Sequence, residues 1–310
     1  MTAPIIQRLA VIGCGLIGAS VIRAARAKGA AGEIVAYDLS PRVRARVREL
    51  GMADHVVDDP IEAVRGCDLV IFAVPSAAIG PAAATSAPGM AEGAIVSDVG
   101  SVKGAVSDAL AAAVAPGVFV IPGHPIAGTE QSGPDSGFAS LFEGRWTILC
   151  PRPSEQPGYD AALERLTAFW TALGALVELM DASHHDRVLA VTSHLPHLIA
   201  YNIVGTAADL EAVSEGEVMK YSAGGFRDFT RIAASDPIMW RDVFLLNKDA
   251  VLEVLGRFNE DLQALSRAIR WGEGDKLEAL FTRTRAIRKG IVAAGQESAE
   301  PNFGRDRKGP

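Results

Sequence analysis

From residue 8 the chain alternates short, unbroken apolar runs with longer stretches whose apolar residues recur at helical spacing. The runs are RLAVIG (8–13), EIVAYD (33–38), DLVIFAV (68–74), AIVSDV (94–99) and VFVIPG (118–123). An unbroken run, rather than an alternating one, is the mark of a strand buried on both faces, and strands of this kind separated by helices predict a parallel sheet covered on both sides. RWTILC (145–150) and LVELMD (176–181) read as its last strands, with an amphipathic helix over 161–175 between them. Beyond 181 the helical period takes over and ends in two long segments, 243–271 and 274–294. The pattern therefore predicts an α/β domain over 1–181, an all-α domain over 182–295 and a polar, mobile tail over 296–310.

The turn after the first run reads GCGLIG and opens an alanine-rich helix, 19–28, that stops at Gly29. Gly13, Gly15 and Gly18 fit G-x-G-x-x-G: a tight turn, a close backbone approach to a pyrophosphate, and close packing of helix on strand. Leu16 and Ile17 sit where the helix N-terminus turns its unpaired N–H groups to the phosphates. The second run ends in Asp38, 20 residues after Gly18, where a carboxylate accepts the ribose hydroxyls and repels a 2′-phosphate. NAD is thus expected over NADP, although Arg42, four residues on, could instead pair with that phosphate. The fold class is a Rossmann-type doubly wound parallel sheet followed by an all-α dimerisation domain. In such sheets ligands lie beyond the carboxyl ends of the strands. This marks the loops 74–78, with Val74 and Pro75, and 98–103, with Ser101 and Lys103; the plainer role of the last two is to start a helix.

Composition narrows the partners. With 310 residues, 49% hydrophobic and 22% charged, the chain can bury two cores. A net charge of −7 argues against nucleic acid, which needs a basic face, and implies that an anionic substrate must be held by locally placed arginines. MTAPIIQR leads straight into a strand with no export signal, and no apolar run approaches the roughly 20 residues that span a bilayer, so a cytoplasmic protein with no membrane partner is expected. Cys14, Cys67 and Cys150 lie in or beside apolar runs and read as buried, reduced thiols.

The stretch GHPIAGTE (123–130) combines a histidine, two glycines and a carboxylate where the fifth run ends. His124 is the candidate catalytic base, although a Gly-His-Pro turn also simply ends strands. Four of the six histidines fall in the stretch 182–197: His184, His185, His194 and His197. Metal-ligand spacing is missing, so no metal is expected. Ser193 and His197 share a helix face next to Pro196, which bends the segment and makes a pocket wall. His184 reads as a core or interface histidine. In SAGGFRDFTRIAASDPIMWRD (222–242), Arg227, Asp228, Arg231 and Trp240 follow a glycine break, and arginine is the side chain suited to bidentate capture of a carboxylate. Apolar positions along 251–269 exceed what one helical layer covers, which predicts a homodimer through this domain.

Taken together, GCGLIG, DVGSVKG with GHPIAGTE, HHDRVLAVTSHLPH and GGFRDFTRIAASDPIMW, in that order, resemble the prephenate and arogenate (cyclohexadienyl) dehydrogenase family of tyrosine biosynthesis over residues 8–292. The resemblance implies NAD-dependent oxidative decarboxylation of prephenate to 4-hydroxyphenylpyruvate, of arogenate to tyrosine, or of both. It implies His124 as the catalytic histidine, Ser101 as its hydroxyl neighbour and a contact of the cofactor, and Arg231 as the substrate-carboxylate arginine. Thr129, Glu130, His185, Ser193, His197, Asp228 and Trp240 would surround the substrate. Some members of that family carry a fused mutase or regulatory segment; with the first strand beginning near residue 8 and the helices running nearly to the end, a monofunctional enzyme is expected here. An arogenate-specific enzyme is the near rival. A hydroxyacid or imine reductase of similar architecture is the distant one, for which Lys220 and, near the start of the first long helix, Lys248 offer a lysine.

Overall fold

In the first strand, Leu9 and Val11 pack into one buried cluster while Ala10 and Ile12 pack into another. Period-two alternation with both faces apolar is what places a strand at the centre of a covered sheet. The computed structural model describes residues 3–129, 131–211 and 224–293, which fall in two compact units, 1–252 and 253–310. In the first, β1 (Ile6–Ile12), β2 (Ala31–Tyr37), β3 (His55–Val56), β4 (Leu69–Phe72), β5 (Ile95–Asp98) and β6 (Phe119–Val120) form a six-stranded sheet. Its order is β3-β2-β1-β4-β5-β6 and every pair is parallel. Helices α1 (Leu16–Lys28) and α6 (Tyr159–Ala172) supply one buried face, and α3 (Pro60–Val64), α4 (Ser76–Ser86) and α5 (Gly104–Ala113) supply the other. Helix α2 (Pro41–Glu49) is capped by Ser40 and adds Val47 to the first face.

The remaining strands depart from expectation. Residues 145–150 and 176–181 do not extend the parallel sheet. Instead β7 (Gly123–Pro125), β8 (Trp146–Leu149) and β9 (Leu176–Leu179) form a separate three-stranded sheet, with β7 antiparallel to β8 and β8 parallel to β9. The cause lies at Pro122. Ile121 still donates to Val96, but proline has no N–H to continue the ladder. The chain swings away there; the Pro122 carbonyl accepts from Cys150 at 2.8 Å, and the Gly123 amide turns to the Asp98 carboxylate at 3.2 Å. GHPIAGTE thus begins as a strand of its own.

After Asp181, which caps it, α7 (Ala182–Leu189) runs through one π turn (Ala190–His194) into α8 (Leu195–Glu211). The widened turn ends two residues before Pro196, whose missing N–H breaks the regular ladder. The stretch Ala182–Leu210 is long and apolar enough by composition to cross a membrane. It nevertheless carries fully buried His185 and His194, polar groups that a core helix turns toward partners inside the protein. Next come α9 (Gly224–Thr230), a 3-10 turn (Arg231–Ala234) and α10 (Pro237–Leu246), capped by Asp236. The single helix expected over 243–271 is divided: Asn247 leaves helical geometry and α11 (Lys248–Arg270) starts beyond it. In the second unit α11 continues to a turn at Gly272 and is followed by α12 (Gly274–Ala293). There Leu262, Ile269, Trp271, Phe281 and Ile287 are exposed. The tail 296–310 lies outside the described residues.

Candidate active site

The glycine turn follows β1 because Gly13 adopts φ +98° and donates to the Tyr37 carbonyl at 2.8 Å. A Cβ on Gly13 would sit 2.5 Å from the Ala73 carbonyl oxygen, and one on Gly18 would sit 1.9 Å from the Gly13 carbonyl oxygen. Both are therefore required by the chain's own packing. Gly15 differs: it precedes α1 and a Cβ there would meet nothing within 4 Å. The open space beside a helix N-terminus, with Leu16 and Ile17 opening the helix, fits a dinucleotide phosphate. Asp38 accepts from the Cys14 amide and from the Ser40 amide, each at 2.8 Å, so its carboxylate is fixed between the glycine turn and α2. Arg42 is exposed. The cation that closes on this strand end is Arg44, over the Tyr37 ring and bonded to the Asp38 carbonyl at 2.7 Å. Val74 and Pro75 follow β4 and lead into α4. All three cysteines are free and buried, and burial pushes the Cys14 and Cys150 thiols up to about 12.

His124 lies at the middle of β7, opposite Ile148. It is 8% exposed, and its Nδ1 meets Nε2 of His185 at 2.9 Å. His185 is wholly buried, with its own Nδ1 bonded to Asp186 Oδ1 at 2.9 Å. Burial, then the neighbouring His185, Lys103 and His194, hold His124 well below the usual histidine range. The ring is a neutral imidazole. His185 thus has both ring nitrogens engaged, one by His124 and one by Asp186.

The loop between β5 and α5, which carries Ser101, is pinned at both ends. At its start the Gly100 amide donates to Asp98 Oδ2 at 2.7 Å. At its end Asp186 Oδ1 accepts from the Lys103 amide and Oδ2 from the Gly104 amide, each at 2.8 Å. Ser101 does not cap α5; that role falls to a carboxylate from α7. Lys103 and Asp98 are both fully buried and form an ion pair, and the ammonium also donates to the Gly123 carbonyl at 2.6 Å. One lysine therefore ties the Ser101 loop to the strand that carries His124. Burial raises the Asp98 carboxyl, with Lys103 opposing.

The helical wall is joined to the same network. Asn247 Nδ2 donates to the Asp186 carbonyl at 2.8 Å and lies 3.1 Å from His194 Nδ1. The carbonyl can only accept, so the amide nitrogen sits there, His194 Nδ1 must accept, and its proton is on Nε2. That Nε2 and the Trp240 Nε1 are buried without a hydrogen-bond partner among the described residues; the Ser101 main chain favours a proton on His194 without reaching hydrogen-bond geometry. Burial brings His194 down to about 4. His197 donates through Nδ1 to the Ser193 carbonyl at 2.9 Å and stacks on Trp240, centroids 3.7 Å apart. Arg231, half-buried at the start of its 3-10 turn, is close enough for its charge to disfavour a proton on His197.

Asp228 is exposed and paired with Arg227 at 3.2 Å. Thr129 is exposed, its hydroxyl accepting from the Gln131 amide at 3.2 Å. His184 is exposed and is no core residue. Glu130 and Lys220 lie outside the described residues. Among the described residues no cluster of histidine, cysteine and carboxylate groups could hold a metal. Sequence reasoning passed over Asp98, Asp186 and Asn247; the readable hint was a carboxylate directly after His185.

Two family models match successive parts of the chain. Residues 21–179 match the family model described as prephenate dehydrogenase, nucleotide-binding domain, and residues 181–283 match prephenate dehydrogenase, dimerization domain. The chain is 43% identical over 284 residues to a cyclohexadienyl dehydrogenase of Zymomonas mobilis, covering 92% of this chain and 96% of that one. It is 33% identical to a prephenate dehydrogenase of Bacillus subtilis, covering 87% and 71%. Among solved structures it resembles prephenate dehydrogenase of Aquifex aeolicus in complex with hydroxyphenyl propionate and NAD+, with TM-score 0.85, 33% identity and coverage of 92% and 98%. It also resembles Synechocystis arogenate dehydrogenase, with TM-score 0.77, 25% identity and coverage of 92% and 100%.

Proposed function

The chain belongs to the prephenate dehydrogenase family, and on that premise we propose that it oxidises and decarboxylates prephenate, arogenate or both with NAD. One observation carries the reading: His124 is a buried, neutral imidazole whose Nδ1 is taken by His185, leaving Nε2 as the base. Bound NAD+ would supply the hydride acceptor at the strand ends. Gly15 and the α1 N-terminus would hold its pyrophosphate, with Val74, Pro75 and Ser101 lining the way to the ring. Asp38, already fixed by two amides, would take the ribose hydroxyls and exclude a 2′-phosphate.

His124 Nε2 accepts the proton of the substrate's 4-hydroxyl as C4 becomes carbonyl-like. The ring carboxylate leaves as CO₂, the ring becomes aromatic, and the proton returns from His124 to the phenolate oxygen. No net proton has to leave the site. Arg231 holds a substrate carboxylate, a charge-assisted pair suited to its planar fork. Trp240, stacked on His197, supplies the apolar wall, and Ser193 and the described part of the GHPIAGTE loop complete the rim. The exposed apolar residues of α11 and α12 are the surface through which two copies would pair.

The test is direct. Purified protein given NAD+ and prephenate, then arogenate, should produce reduced nicotinamide with at least one. Reduction with neither, together with turnover of a simple 2-hydroxy acid, would favour the reductase reading instead.

A further inference from the structure

We propose that His185 and Asp186 are positioning residues that fix the tautomer of His124, presenting a bare Nε2 to the substrate hydroxyl. This deepens the proposed function and rests on it for the identity of the base, but the tautomer itself follows from hydrogen bonds that need no substrate.

The direction of the chain is set at its far end. Asp186 accepts from the backbone amides of Lys103 and Gly104, both at 2.8 Å, and a main-chain N–H can only donate. The carboxylate is thereby held as an acceptor, and the His185 Nδ1 facing its Oδ1 at 2.9 Å must carry a proton. A neutral imidazole has one proton, so His185 Nε2 is an acceptor. His124 Nδ1, 2.9 Å away, must then donate, and its single proton is spent there. What remains on His124 is the Nε2 lone pair, for which no hydrogen bond exists among the described residues. Reversing any link would place two donors or two acceptors face to face in a buried site, at the cost of an unsatisfied group.

The same arrangement serves the step in which His124 holds the hydroxyl proton. The imidazolium then donates from Nδ1 to His185 Nε2 in a charge-assisted bond, and the Asp186 carboxylate faces the second ring. Asp186 is kept ionised despite burial, which by itself would raise it, because His185 and the two amides together outweigh that effect. A base that must take a proton and return it is helped by a partner that stabilises the protonated state without removing the proton. A packing role alone would require only the ring's shape.

The experiment uses the full chain with nitrogen-15-labelled histidine. In the substrate-free protein the His124 ring should show a protonated Nδ1 and an unprotonated Nε2; the opposite tautomer overturns the proposal, whatever the enzyme turns over. In kinetics, His185→Leu should lower kcat by about ten- to a hundred-fold, the range seen when a supporting hydrogen-bond partner is lost, with KM little changed. His185→Gln, whose carbonyl can accept from His124 while its amide donates to Asp186, should recover most of that loss. Folded Leu and Gln variants of equal kcat, or an unaltered kcat in His185→Leu, would overturn it. If the wild type reduces NAD+ with neither cyclohexadiene, the activity reading fails while the ring spectrum still decides the tautomer.

Discussion

His124 and His185 meet edge to face, with ring centroids 5.1 Å apart, planes at 64° and Nδ1 to Nε2 at 2.9 Å. One imidazole comes from β7 and the other from α7, so the pair exists only where the second sheet and the helical segment are brought together. His124→Asn keeps a polar side chain but has no basic nitrogen. It should retain NAD binding and substrate KM while kcat falls by roughly 10²- to 10⁴-fold, the usual worth of a positioned general base. A normal kcat in steady-state assays would remove His124 from the mechanism.

Arg231→Ala is expected to act on binding. Loss of one charge-assisted carboxylate pair corresponds to about 2 kcal/mol, or roughly a thirty-fold rise in KM. An unaltered KM would refute its assignment.

The two glycines of the phosphate turn should separate folding from ligand binding. Gly18→Ala drives a Cβ to 1.9 Å from the Gly13 carbonyl oxygen, between two pieces of backbone that cannot move apart cheaply, so it should lower thermal stability and abolish NAD binding together. Gly15→Ala meets no protein atom within 4 Å and should leave the melting temperature nearly unaltered while weakening NAD in a titration. Equal NAD affinity in Gly15→Ala and wild type would place the dinucleotide elsewhere.

Lys103 and Asp98 are a fully buried ion pair. Lys103→Met strands the carboxylate, and breaking such a pair costs on the order of 3–5 kcal/mol. Replacing both, Lys103→Met with Asp98→Asn, removes the stranded charge and should recover a substantial part. Denaturant unfolding of the single and double variants measures this; a double variant less stable than Lys103→Met would contradict the account.

Acid should destabilise the fold through its buried histidines. His194 is held neutral by burial, down to about 4 against an ordinary 6.5. Between those values the unfolded chain binds a proton that the folded chain refuses. The group's contribution is therefore complete above about pH 6.5 and is lost as pH falls toward about 4, by about 3 kcal/mol in all. His124 works in the same direction, whereas the raised Asp98 carboxyl works in the other. Comparison with His194→Gln isolates the effect: the variant should lose less stability than the wild type between pH 7 and 5. Identical losses would show that His194 is not the group concerned.

Local chemistry explains which features were legible in advance. The unbroken apolar runs predicted β1, β2, β4 and β5, since a central strand must be apolar on both faces and the residues themselves display it. The glycine turn was legible because positive φ at Gly13 and the clash at Gly18 are properties of a few adjacent residues. His124, Arg231 and Trp240 stood out by residue type and motif. The second sheet did not, because the apolar run of β8 reads the same whether it joins a parallel sheet or pairs with β7. Pro122 made that choice by withholding one amide.

The sequence alone determined the covered parallel sheet, the nucleotide turn and the family, all of which rest on periodicity and on short motifs whose physics is local. The tertiary structure decided what faces the two nitrogens of His185 and the Nδ1 of His124. Asp186 caps a helix that begins 82 residues before it, Lys103 bridges the Ser101 loop to β7, and Asn247 breaks a helix to reach His194. Those bonds join segments far apart in sequence, and a proton's place on an imidazole depends on which groups face its two nitrogens in space.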